Sequence, residues 1–60
     1  MNWRELNKQL NLLDEYEVLD LLEAERRGAR RVTFLERLHQ RYTMLRAARE
    51  RVELMKEAVK

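Results

Sequence analysis

The sequence contains no cysteine, no proline and no serine, and its 60 residues include a single glycine and a single histidine. Disulfides are therefore excluded, and one histidine without cysteine excludes a mononuclear zinc site. A chain of this length forms one domain at most, so we treat residues 1–60 as a single domain. Because so small a core rarely supplies more than ~3–5 kcal/mol, very regular helix packing, self-association or a partner must add stability.

Long apolar runs and catalytic motifs are also missing. No apolar run approaches the ~18 residues that cross a bilayer, and the first residues lack the apolar stretch of a signal peptide. We therefore expect a soluble, cytoplasmic protein without a membrane partner. There is no serine or cysteine nucleophile and no glycine-rich phosphate loop, and His39 lies opposite the apolar face of its predicted helix. We expect no enzyme activity, no cofactor, no metal and no small-molecule substrate.

Charged side chains are abundant and unevenly distributed. Residues 1–25 carry a net charge of −5, residues 26–60 a net charge of +7, and ten of the thirteen cations are arginine. One interpretation is that an acidic helix packs against a basic helix of the same chain. The other is that the basic half binds nucleic acid or another polyanion. We favour the first, because net charge alone says little about partners.

Local signals predict three helices and an all-α fold. Each predicted start has an N-cap residue followed three positions later by glutamate, namely Asn2 with Glu5, Asp14 with Glu17, and Thr33 with Glu36. Gly28 follows two arginines and predicts the end of the second helix in a left-handed conformation. We therefore predict a short first helix over about 3–11, and a hairpin of helices over about 15–27 and 34–58.

The third predicted helix carries the strongest periodic pattern in the chain. Its apolar stripe, with steps of three or four residues, is Leu35, Leu38, Tyr42, Leu45, Ala48, Val52, Met55 and Val59. At ~1.5 Å per residue this helix outruns its hairpin partner by roughly 15–18 Å. Helix 1 could fold back and cover this end with Trp3, Leu6 and Leu10, or a second copy could cover it. The small core favours both. We predict a homo-oligomer whose candidate contacts are Tyr42, Leu45, Val52, Met55 and Val59.

The most concentrated polar feature is the predicted hairpin tip, which holds Arg26, Arg27, Arg30 and Arg31. Clustered guanidiniums bind phosphates well, and Arg37 and Arg46 would extend such a patch. No aromatic residues alternate with these arginines, as they do in single-strand platforms. Three interpretations stand: helix-capping and solvated arginines, a nucleic-acid site, or a contact for an acidic protein surface.

Two further arginines lie in or beside the apolar stripe. Arg41 falls within the stripe and Arg49 at its edge. We expect their stems to pack and their guanidiniums to reach the acidic rim of helix 2 or solvent. The alternative is that they bind an anionic group of a partner.

The run RVTFLERLHQRY over residues 31–42, followed by Leu45-Arg46 and Arg49-Glu50-Arg51, resembles small uncharacterised helical proteins encoded by tailed bacteriophages. Those proteins pair a short acidic helix with a long arginine-rich one, and the likeness covers about residues 13–54. The resemblance implies an accessory or virion-associated protein that works by binding inside a bacterium. It assigns no functional residues.

These observations favour a non-enzymatic helical interaction module that self-associates and presents arginines to a macromolecular partner. The alternative is a nucleic-acid-binding protein that uses the arginines of the tip. An inhibitor that docks onto a host enzyme is also compatible with the sequence.

Overall fold

The computed structural model describes residues 1–59. It consists of three helices, α1 (Trp3–Leu10), α2 (Glu15–Arg27) and α3 (Val32–Ala58), and residues 1–59 contain no β-strand. The predicted all-α fold, with a short helix ahead of a hairpin, is confirmed. The predicted bounds of the second helix match those of α2, whereas α1 ends one residue earlier than predicted and α3 begins two residues earlier.

The first two helices begin at the predicted caps. The Asn2 side chain accepts a hydrogen bond from the Glu5 amide at 2.8 Å. At α2, Asp14 accepts from the Glu17 amide at 2.8 Å, and the Glu17 carboxylate accepts from the Asp14 amide at 3.1 Å. This reciprocal pair satisfies two amides that have no partner within the helix.

The predicted cap of the third helix is wrong. The N-cap of α3 is Arg31, whose side chain makes no capping bond, and Thr33 lies inside the helix. The physical reason lies in α2, because the Glu25 carboxylate accepts a 2.8 Å hydrogen bond from the Arg31 amide. The Glu25 carboxylate thus accepts a hydrogen bond from the N-cap amide, the role that the prediction gave to the Glu36 side chain. Its negative charge also suits the positive end of the α3 dipole.

The turn after α2 also differs from its prediction. Gly28 is the C-cap and its amide donates to the carbonyl of Ala24, but its φ is −107°, and Arg30 takes the left-handed conformation with φ 53°. A Cβ on Gly28 would lie 3.1 Å from the Ala24 carbonyl oxygen. The close approach of these two backbone segments therefore explains why this position is a glycine. The Arg30 conformation is held by its amide, which donates to the Glu25 carbonyl at 3.0 Å.

The core lies at one end of the elongated molecule, which measures 46 × 21 × 15 Å. Its buried side chains are Leu6, Leu10, Val18, Leu22, Phe34 and Leu38. Half-buried around them are Leu13, Leu19, Leu21, Leu35, Tyr42 and Leu45. Phe34 was not in the predicted stripe, although it lies four residues before Leu38 on the same face. No residue of α3 beyond Leu45 belongs to this core.

Helix α1 packs beside the first half of α3 and runs in the same direction. The Trp3 ring meets the Phe34 ring edge-on at 5.8 Å, and Leu10, at the other end of α1, offers its carbonyl to Arg41 at 3.2 Å. The prediction that α1 could fold back over the far end of α3 is therefore wrong. The guanidinium of Arg41 fixes this placement, since it satisfies a carbonyl at the C-terminus of α1.

Candidate interaction surfaces

The four arginines of the hairpin tip occupy two different environments. Arg31 is bound to Glu25, with Nη2 at 2.9 Å from Oε1 and Nε at 3.0 Å from Oε2. Its Nη1 donates to the Met1 carbonyl at 3.1 Å, and its guanidinium lies 3.6 Å from the centroid of the Phe34 ring. Arg31 therefore joins α2, α3 and the N-terminal segment before α1 through fork-like, charge-assisted hydrogen bonds and a cation–π contact.

Glu25 is a buried residue that sequence reasoning missed. It is 8% exposed, and its hydrogen bonds from the Arg31 side chain and amide lower its pKa to about 2. The same contact raises the pKa of Arg31. The signal was present in the sequence, because Glu25 lies at helical spacing from Val18 and Leu22 on the inward face of α2.

The other three tip arginines are exposed. Arg26 contacts Glu23 through a single 3.4 Å bond, and Arg30 donates from Nε to the Arg26 carbonyl at 3.0 Å. Arg27 makes no ion pair within residues 1–59. Arg31 is held by Glu25, so the tip arginines that do not bind Glu25 are Arg26, Arg27 and Arg30, which we call the arginine surface.

The two arginines expected to extend this patch lie elsewhere. Arg37 donates from Nε to Asn7 at 2.8 Å and from Nη1 to Gln40 at 3.3 Å, so it ties α1 to α3. Arg46 lies about 20 Å along α3 from its first residue and pairs with Glu50 at 3.5 Å. The structure does not bring Arg46 together with the arginine surface.

Arg49 marks the point where α3 leaves its partner helix. Its guanidinium binds Glu15 at the start of α2, at 2.8 and 3.3 Å, and Glu53 on the next turn at 3.0 Å. These contacts raise the pKa of Arg49. Both arginines beside the stripe thus have partners within the chain, Arg49 on the acidic rim of α2 and Arg41 on the end of α1.

In the described residues beyond Arg49, up to residue 59, no other helix contacts α3 through an ion pair or core packing. We call residues 50–59 the overhang, and they extend about 15 Å. Its apolar stripe is exposed, by 53% at Val52, 62% at Met55 and 84% at Val59. An open apolar surface there is bordered by Arg51 and Lys56. The other two predicted self-association residues, Tyr42 and Leu45, are half-buried against the core.

Neither a metal-binding cluster nor a membrane-spanning helix is found in the described part of the chain. Within residues 1–59, no group of three or more histidine, cysteine or acidic side chains could hold a metal ion. His39 is exposed on α3. None of the helices in this range combines the length and the apolar character required to cross a membrane. The arrangement offers surfaces for contact.

No protein-family model, no curated protein and no solved structure matches this chain. The bacteriophage resemblance therefore stays a prediction, and the function must be argued from the overhang and the arginine surface.

Proposed function

We propose that this chain is a small, non-enzymatic helical interaction module that self-associates through the overhang. The observation that carries the proposal is the exposed stripe of Val52, Met55 and Val59 on two and a half turns of helix without a partner. Burying an exposed valine or methionine fully is worth about 1.5–3 kcal/mol, a large gain for a chain with so small a core.

We also propose that the opposite end of the hairpin contacts an anionic macromolecule. Arg26, Arg27 and Arg30 are exposed, and among residues 1–59 Glu23 is the one acidic side chain paired with any of them. Three guanidiniums within five residues suit carboxylates or phosphates. Nucleic acid and an acidic protein surface both offer such groups, and a nucleic-acid-binding protein that uses these arginines is the alternative function.

The residues that carry the bacteriophage resemblance fit the same proposal. Arg31, Arg37 and Arg49 lie in that run and tie the helices together, which leaves the two ends of the hairpin for partners. We propose an accessory or virion-associated role inside a bacterial cell, with no small-molecule substrate or cofactor.

A mass measurement with two neighbouring variants tests self-association. Met55 and Leu54 are almost equally exposed, at 62% and 63%, but Leu54 points about 100° away from the stripe. In light scattering over a concentration series, we expect wild-type protein and Leu54→Lys to exceed the monomer mass of 7.4 kDa. Met55→Lys should remain monomeric. A wild-type mass of 7.4 kDa throughout the series contradicts the proposal.

A further inference from the structure

A second apolar surface lies where the overhang leaves the core. We call residues 11–20 the corner, since they form the turn between α1 and α2 and the first turns of α2. Leu12 is 82% exposed there, and Tyr16 is 69% exposed. The corner lies level with Arg49, because the neighbouring Glu15 binds that guanidinium. One chain therefore carries two exposed apolar surfaces, one along the overhang of about 15 Å and one at the base of the overhang.

The charges beside the stripe decide which surface it meets. At 100° per residue, Arg51 lies on the Met55 side of the stripe and Lys56 on the Val52 side. Both borders are therefore cationic. Two stripes packed face to face would bring the cations of one copy beside those of the other, which is destabilising.

The corner has the opposite charge. It holds Asp14, Glu15, Glu17 and Asp20 and no cation. Glu15 is bound to Arg49, and Asp14 and Glu17 bond to each other's amides. Asp20 is exposed and makes no ion pair within residues 1–59. An apolar surface with an acidic border thus complements an apolar stripe with cationic borders.

We infer, on the basis of the proposed self-association, that the overhang of each copy docks on the corner of a second copy. The stripe lies on Leu12 and Tyr16, and Lys56 lies near Asp20. The exchange is reciprocal, so a two-fold axis closes the dimer and leaves neither stripe exposed. Each dimer then contains two identical contacts, which together bury both pairs of apolar surfaces.

Corner variants test the docking partner directly. Leu12→Gln/Tyr16→Gln changes two exposed side chains outside the core, and Val32→Gln/Leu54→Gln is a matched control on two exposed apolar residues of α3 that lie off the stripe. In sedimentation equilibrium we expect the corner variant to be monomeric where wild-type protein and the control are dimeric. Helical circular dichroism should be the same for all three.

A charge-reversal series tests the orientation. Asp20→Lys and Lys56→Glu should each raise the dimer dissociation constant about tenfold, and the double variant should recover most of the loss in its homodimer. If the stripe of one copy packed on the stripe of the other, Asp20→Lys would not change the dissociation constant, and the double variant would not recover the loss caused by Lys56→Glu.

The outcomes distinguish docking on the corner from the proposed self-association on which it rests. A corner variant as dimeric as the wild-type protein overturns the docking site while self-association stands. A wild-type protein that is monomeric at every concentration overturns both. Loss of dimer in the corner variant together with recovery in the double charge reversal supports the exchange.

Discussion

The two halves of α3 share one apolar stripe but have very different surroundings. In the first half, Phe34 and Leu38 are buried, and Arg31, Arg37 and Arg41 each bind a group on another helix or on the N-terminal segment. In the overhang, every residue is exposed. The apolar stripe runs through both halves without a break, so periodicity alone does not say which part of it is buried.

The difference arises from helix length. Helix α3 has 27 residues and α2 has 13, so α2 can cover only half of α3. The eight residues of α1 lie along the half that is already covered. Stability is therefore concentrated at one end, and we expect the overhang of an isolated chain to open locally far more often than the core end.

The largest expected effect is the contrast between two leucine-to-alanine substitutions, one in each half of α3. Leu38→Ala removes a side chain that is 2% exposed and should cost about 2–5 kcal/mol, comparable with the total stability of so small a domain. Leu54→Ala, at 63% exposed, should change stability by about 0.5 kcal/mol or less. Urea denaturation followed by circular dichroism measures both. Equal losses would mean that the overhang is packed in solution.

Acid should weaken the core end through Glu25. Its pKa is lowered from 4.5 to about 2, so its contribution to stability is complete above the unfolded value and is lost as pH falls through the folded value. Wild-type protein should lose stability between pH 4.5 and about 2. Glu25→Gln should be less stable at pH 7 and should lack this part of the acid dependence.

Glu50→Gln is the matched control for that measurement, since Glu50 lies on the overhang and, within residues 1–59, pairs with Arg46 on its own helix. It should keep the acid dependence of the wild-type protein in thermal melts from pH 7 to 2. The same acid profile in Glu25→Gln as in wild-type protein would exclude Glu25 as its cause.

The two predicted caps should differ in their contribution to stability. Asp14→Ala breaks a complete capping box and should cost about 1 kcal/mol. Thr33→Ala changes an exposed residue inside α3 and should leave stability unchanged or slightly higher, by less than about 0.5 kcal/mol, because alanine favours helix. Thermal melts would show this contrast, and a destabilised Thr33→Ala would restore Thr33 as a cap.

Only a modest effect on stability is expected for each residue of the arginine surface. Arg26→Gln/Arg27→Gln/Arg30→Gln should cost less than about 1 kcal/mol per residue, through the helix dipole. A control with the same change in charge is Arg4→Gln/Lys8→Gln/Arg46→Gln.

Gel shifts with these two variants distinguish an acidic protein partner from nucleic acid. A wild-type shift of duplex DNA at physiological salt that the tip variant loses and the control keeps would favour nucleic acid. Its salt slope should then fall by about one unit per lost phosphate contact. No wild-type shift would favour either helix-capping and solvated arginines or a contact with an acidic protein surface.

Part of the candidate site was predictable because it depends on helical spacing. The stripe of Val52, Met55 and Val59 follows from steps of three and four residues, and the arginines of the tip follow from their neighbourhood in sequence. The sequence did not separate Arg31 from the other tip arginines. That separation comes from Glu25, which sits on the inward face of α2 and binds Arg31 across the turn.

The sequence by itself determined the number of helices, the caps at Asn2 and Asp14, and the bounds of α2, because each depends on residues within one or two turns. Only the tertiary structure decided where α1 packs and which arginine side chains bind partners on another helix. These depend on contacts such as Arg37 with Asn7 and Arg49 with Glu15, between residues at least 30 positions apart. A helical period specifies which face of a helix is apolar, whereas the lengths and directions of its neighbours decide how much of that face they cover.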